Sequence, residues 1–213
     1  MKDIHFYFDF ISPYAWLGFQ AQPQALQGIS HSVHYKPIVF GALLKHHGQL
    51  GPAEIPAKRD WTYRQVQWLA KQQGEDLRMP SAHPFNPLAL LRLAVASQAG
   101  GQPSRYVCEK IFQHVWCTGL DAADAERSAA LTAQLAPAQD PASPAVKAQL
   151  QNWTQEAIEA GVFGVPSWVV DGKVFWGQDA LPMLRAYLLG DDWFNGPGWQ
   201  GVSEIAVGIR RQA

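Results

Sequence analysis

Three short runs carry residue types and spacings that support chemistry, and each sits at a junction between elements. In FDFISPYAW, residues 8–16, Ser12 stands where an alternating apolar run stops and Pro13 follows. Ser is a favoured helix N-cap and Pro a favoured first helical residue. A helix N-terminus offers free N–H groups and about half a positive charge, so it favours an anion such as a thiolate. A hydroxyl placed there can donate a hydrogen bond to that anion. The plainer reading is that Ser12 only caps the helix. In FGVPSWVV, residues 163–170, a cis bond at Val165-Pro166 would turn the chain sharply and expose the Val165 backbone to a ligand. Cis is adopted by only about 5–6% of X–Pro bonds, and a trans Pro opening an edge strand is the ordinary alternative. In FWGQDAL, residues 175–181, Gln178-Asp179 lies between a strand and a helix. Asp179 there either caps the helix or binds an ammonium group.

Other chemistries find little support. Lys and Arg total 17, Asp and Glu 18, and the net charge is -1, so no basic groove for nucleic acid is expected. The basic pairs Lys58-Arg59 and Arg210-Arg211 read as solvated surface. His31 and His34 face opposite sides of a strand, and His46-His47 has no Cys or carboxylate at ligand spacing, so no metal is expected. Cys108 and Cys117 fall on opposite faces of one helix, which makes a disulfide geometrically poor; both read as reduced. The segment MKDIHFYFDF lacks a basic region followed by a long apolar run. No signal peptide, no membrane span and a cytoplasmic location are the expectations.

The elements that position these runs are legible from periodicity. Ile4, Phe6, Phe8 and Phe10 alternate with His5, Tyr7 and Asp9, which reads as a strand. A helix is expected from Pro13 to about Gln27, ended by Gly28, and a second strand over 32–40, with Pro37 marking an edge or bulge. Residues 41–60, rich in Gly and Pro, read as a long functional loop. Five helices are expected between 61 and 160. The fourth is capped by Asp121; the fifth is opened by Ser143-Pro144 and striped by Val146, Leu150, Trp153 and Ala157. Two β-prone runs joined by Asp171-Gly172 predict a hairpin, followed by a helix over about 179–189. The tail from 190, with Trp193 and Trp199, either wraps the domain or meets a partner subunit; it is the candidate surface for a homodimer. The order β-α-β, helices, β-β-α requires the two ends to pair as one α/β sheet.

A strand, a Ser-Pro-x-x helix start, a helical insertion, then Val-Pro, a hairpin and Gly-x-Asp form an ordered set. It resembles a thioredoxin-like fold with an inserted all-helical domain, of the DsbA/kappa type, with Ser12-Pro13-Tyr14-Ala15 where Cys-x-x-Cys is usual. The segments FYFDFISPYAWLG, YKPIVFGALL, PAKRDW, FNPLALLRLA and GVFGVPSWVVDGKVFWGQDALPML carry a closer resemblance. It is to the 2-hydroxychromene-2-carboxylate isomerases and their kappa-class glutathione transferase relatives. The implied organisation is a discontinuous thioredoxin-like domain, 1–60 and 161–189, a helical insertion, 61–160, and an extension, 190–213.

The resemblance also implies roles. Ser12 holds the sulfur of glutathione. Val165, before the expected cis-Pro166, pairs through its backbone with the tripeptide. Gln178 and Asp179 hold its γ-glutamyl end, and Lys58, on a loop, lies near its glycine carboxylate. Asn86 and Tyr14 lie by the substrate. Gly48-Gln49 departs from the family, which tends to have Asn there. The implied reaction is glutathione-dependent cis-trans isomerisation of 2-hydroxychromene-2-carboxylate, or a close analogue, to trans-o-hydroxybenzylidenepyruvate in aromatic catabolism. The substrate is thus a small aromatic carboxylate, and the reversible nucleophile a borrowed thiolate. A kappa-like transferase and a non-catalytic thiol-binding module of DsbA type are the alternatives.

Overall fold

The structure, a computed structural model, describes residues 1–100 and 102–209; the Arg210-Arg211 pair lies outside the described residues. The chain runs β1 (Lys2–Phe8), α1 (Pro13–Ala25), β2 (His31–Pro37), α2 (Phe40–His46), α3 (Pro56–Gln73) and α4 (Leu88–Ala96). It continues through α5 (Arg105–Trp116), α6 (Ala125–Leu135), α7 (Pro144–Glu159), β3 (Ser167–Val170), β4 (Lys173–Trp176), α8 (Leu181–Leu188) and the short α9 (Pro197–Gln200). The four strands form one sheet in the order β2-β1-β3-β4. β1 is parallel to β2 and antiparallel to β3, so the two ends of the chain do share a sheet. β3 and β4 make the hairpin, with Asp171 and Gly172 both at positive φ, the conformation its tight turn requires. Pro37 ends β2, an edge strand, where its missing N–H costs no ladder bond.

Both faces of the sheet are covered. On one, Phe6 stacks on Phe8 and on Trp168 with 5.0 Å between ring centroids in each pair, and Phe19 of α1 packs above. On the other, α7 lies over β1 and β2. Tyr7 donates to Glu156 at 2.8 Å and Lys36 reaches the same carboxylate, so Tyr7, on the second face of β1, is buried as well. The α7 stripe Val146, Leu150, Trp153 and Ala157 is wholly buried.

α1 runs through Pro23 and stops at Ala25, two residues short of its expected end. Pro23 has no N–H for the Phe19 carbonyl four residues back. Arg105 supplies the missing donors: both guanidinium nitrogens reach that oxygen at 3.1–3.2 Å while the group stacks on the Phe19 ring at 4.0 Å.

Several expectations are corrected. Residues 41–60 are largely helical, as α2, a 3₁₀ turn over Pro52–Glu54 and the start of α3. Pro52 and Pro56 open helical turns at their first positions instead of marking loop. The expected boundary at 60/61 therefore falls inside α3. α6 is capped by Asp124, which accepts the Arg127 N–H at 2.8 Å, not by Asp121. A 3₁₀ turn over Gln178–Ala180 precedes α8, and Asp179 does not cap it.

The tail packs on the domain through Trp199, and residues 202–209 beyond it are exposed. Phe194 and Trp199 pack on Phe175 of β4 at 6.0 and 5.9 Å between ring centroids. Among the described residues no helix is long and apolar enough to cross a membrane, and no three His, Cys, Asp or Glu side chains group to hold a metal ion. Cys108 is buried and Cys117 half-buried, both free.

Candidate active site

Ser12 is the N-cap of α1 in extended conformation, and its Oγ accepts the Ala15 N–H at 3.2 Å. The same Oγ donates to the carbonyl of Val165 at 3.4 Å. Val165-Pro166 is cis, as the resemblance implies. Two positions 153 residues apart thus share one hydroxyl, which both caps a helix and faces the chain before β3. Ala15 and Trp16 give their N–H groups to the Ser12 carbonyl at 3.1 and 3.2 Å. Among the described residues no protein acceptor takes the N–H of Tyr14 or of Val165. The Ser12 hydroxyl and the unpartnered Tyr14 N–H consequently lie at the positive end of a 13-residue helix, with the Val165 carbonyl 3.4 Å from that hydroxyl.

The turn that presents Ser12 is held at each residue. Asp9 is fully buried; its carboxylate takes the Ile11 N–H at 3.1 Å and the Phe40 N–H at 3.0 Å. Burial pushes its acid up to about 7, against the pull of those backbone bonds. The Ser12 N–H returns to the Asp9 carbonyl at 3.1 Å. Trp116 of α5 donates to the Phe10 carbonyl at 2.9 Å, and His83 faces the Ile11 carbonyl at 2.8 Å.

The second part of the site hangs on Pro166. Its carbonyl accepts the Gly177 N–H at 2.9 Å, which sets the start of the Gln178–Ala180 turn. Gln178 takes a hydrogen bond from Gln73, at the end of α3, at 2.8 Å. Asp179 is exposed, with its carboxylate folded over Gly177, whose φ of +92° excludes a side chain. Tyr14 donates to Gln65 of α3 at 2.6 Å. Burial, with the Asp179 carboxylate adding to it, raises the Tyr14 phenol above its ordinary range. Phe163 and Trp176, both partly exposed, pair at 4.8 Å between ring centroids beside Gly164, where a Cβ would strike the indole.

Ser12, Tyr14, Val165, Pro166, Gln178 and Asp179 are therefore brought together. Lys58 is exposed in the first turn of α3, not on a loop, and among the described residues it makes no hydrogen bond or ion pair with the others. Asn86 is exposed and its side chain accepts the Leu88 N–H at 3.1 Å, which fixes the start of α4. Asp9, His83 and Trp116 were missed as site residues. Asp9 alternates like a solvent-facing strand residue, and nothing local links His83 or Trp116 to residues 10 and 11. Neither cysteine suits redox work at this site. Burial holds the Cys108 thiol far above its ordinary range and pushes Cys117 up to about 11.

Comparison with known proteins agrees with this architecture. The chain is 27% identical over 196 residues to a 2-hydroxychromene-2-carboxylate isomerase of Sphingobium xenophagum, spanning 88% of this chain and 98% of that one. It is 26% identical to glutathione S-transferase kappa 1 of Rattus norvegicus over 208 residues, 89% and 92% of the two chains. A solved 2-hydroxychromene-2-carboxylate isomerase superposes with a TM-score of 0.77 at 25% identity, covering 91% of this chain and 97% of that one. The fold is thus thioredoxin-like with a helical insertion, and the profile of the DSBA-like thioredoxin domain matches residues 3–189: the chain belongs to that family.

Proposed function

We propose that this protein is a glutathione-dependent isomerase of a small unsaturated aromatic carboxylate, 2-hydroxychromene-2-carboxylate or a close analogue, giving trans-o-hydroxybenzylidenepyruvate. The observation that carries the reading is the Ser12 hydroxyl, set between the N-terminus of α1 and the Val165 carbonyl. The donor set fits a thiolate peptide. The Ser12 hydroxyl and the Tyr14 N–H face the sulfur, while the Val165 backbone pairs with the peptide as an added strand does. Gln178 and Asp179 take the γ-glutamyl ammonium end, and Lys58 a carboxylate. Tyr14 and Asn86 border the aromatic substrate. When bound, glutathione would supply a thiolate that adds reversibly to a double bond, so that the ring opens, the resulting single bond rotates, and departure of the thiolate restores the double bond. The chain's own part is to keep that sulfur ionised, by a hydroxyl donor and a helix dipole, and to orient it. Relatives named as isomerases over nearly their full length support the reaction class.

The test is turnover of 2-hydroxychromene-2-carboxylate with and without glutathione, in the wild type and in Ser12→Ala. Turnover that requires glutathione and is lost in Ser12→Ala supports the reading. Turnover without glutathione, or unchanged in Ser12→Ala, refutes it. Relatives named kappa transferases favour a second reading in which the same thiolate is consumed. A stable conjugate with an aryl chloride, and no isomerisation, would identify that activity. Glutathione binding with neither reaction would leave a binding module.

A further inference from the structure

The turn before Ser12 is gripped from the helical insertion by a side-chain pair that the proposed reaction does not use. His83, half-buried in the segment between α3 and α4, points Nε2 at the Ile11 carbonyl, 2.8 Å away. Its other nitrogen, Nδ1, lies 2.7 Å from the hydroxyl of Tyr63 on α3. The same hydroxyl is 2.9 Å from the carbonyl of His83 itself. The ring is packed between Tyr63 at 5.4 Å and Trp116 at 5.5 Å between centroids.

The Ile11 contact fixes one proton position. A carbonyl oxygen only accepts, so Nε2 carries a hydrogen and donates to Ile11. Burial lowers the imidazole's proton affinity, which favours the neutral ring, so that Nδ1 and the His83 carbonyl are both acceptors for the single Tyr63 hydrogen. The Ile11 carbonyl thus sets the tautomer, and Tyr63 holds the ring from its other side, through Nδ1 and the His83 carbonyl. Ile11 precedes Ser12 directly, and its N–H is already held by Asp9. With both ends of that residue bonded, the backbone that carries Ser12 is held in place.

We propose that His83, oriented by Tyr63, is a positioning residue for Ser12, coupling the helical insertion to the thiol-holding turn. This rests on the reading of Ser12 as the group that holds the glutathione thiol.

The test is the titration of the glutathione thiol in its complex with the protein, followed by thiolate absorbance, in the wild type, Ser12→Ala, His83→Ala, His83→Gln and Tyr63→Phe. Thermal melts run alongside. His83→Ala is expected to raise the thiol's proton affinity about fivefold, the equivalent of one neutral hydrogen bond. His83→Gln keeps a donor at the Nε2 position and should fall within about twofold of the wild type. Tyr63→Phe, which retains the imidazole, should lie between and serves if His83→Ala does not fold. A wild-type titration in His83→Ala, or in Tyr63→Phe if that stands alone, overturns the inference while Ser12→Ala still shifts the thiol. So does a glutamine variant no better than alanine, which would mark a purely structural residue. If glutathione does not bind the wild type, or Ser12→Ala leaves its thiol unmoved, the proposed function falls and this inference falls with it.

Discussion

Gly18 of α1 lies so close to Trp168 of β3 that a Cβ built on it would stand 2.8 Å from the tip of the indole. The same Cβ would meet the Pro166 ring at 3.3 Å. The indole has nowhere to retreat: it is fully buried, stacked on Phe6, and its N–H is bound to Gln22 at 3.1 Å. This contact sets the distance between the helix that carries Ser12 and the strand that follows Pro166.

Gly18→Ala is expected to destabilise the protein. Alanine gains about 1 kcal/mol of helix propensity over glycine. Overpacking a closed core costs about 1–3 kcal/mol. The net loss is about 1 kcal/mol, which at this length lowers the melting temperature by about 2–4 °C. A melt showing a higher temperature for Gly18→Ala would mean that the indole yields and that the spacing of α1 from β3 is soft.

Ser12 has an internal control in Ser143. Both open a helix before Pro, and both accept an N–H three residues on, Ala15 at 3.2 Å and Val146 at 3.3 Å. Ser12→Ala and Ser143→Ala should each cost about 1 kcal/mol of stability through the lost cap. Only Ser12→Ala should weaken glutathione binding in calorimetry, since only Ser12 faces Val165. Equal binding by the two variants would reduce Ser12 to a cap.

Asp9 gives stability a pH dependence of known sign. Its carboxyl is raised to about 7 when folded, so the folded chain holds that proton more tightly than the unfolded chain does. The stabilising contribution is whole below about pH 4, the ordinary range, and is lost as pH climbs to about 7. Asp9→Asn puts an amide donor against a backbone N–H and costs about 1–3 kcal/mol at any pH. Relative to that variant, the wild type should lose a few kcal/mol between pH 4 and pH 7 in urea unfolding. Parallel curves for the two proteins would show that Asp9 is ionised throughout and that burial does not govern it.

The frame of the molecule was legible where a local rule has one outcome. Ser12-Pro13 and Ser143-Pro144 open helices because side chain and ring both suit a first turn, and Asp171-Gly172 closes a hairpin because both residues tolerate positive φ. Rules with two outcomes misled. Pro52 and Pro56 punctuate loops and also start helical turns, and α2 and α3 took the second use. Asp121 reads as a cap but takes the Ala123 N–H in a turn of its own, and α6 starts three residues later at Asp124. What no window of sequence contains is pairing across the chain: Ser12 with Val165, Trp116 with Phe10, His83 with Ile11. The cis His83-Pro84 bond was likewise not foreseen.

Lys58 separates stability from binding. It is exposed in the first turn of α3, where a positive charge opposes the helix dipole, and among the described residues it has no bonded partner. Its position is mildly unfavourable to the fold, so Lys58→Gln should raise stability by about 0.3 kcal/mol. If Lys58 serves a carboxylate of glutathione, the same variant should bind the tripeptide more weakly, by about two- to fivefold at low salt. The deficit should shrink as salt rises, because exposed charges are screened beyond roughly 8–10 Å at ordinary ionic strength. Opposite signs in a urea titration and a glutathione isotherm would mark a residue kept for its ligand at the expense of its helix. Unchanged affinity at low salt would remove Lys58 from the site and leave the ammonium as ordinary surface.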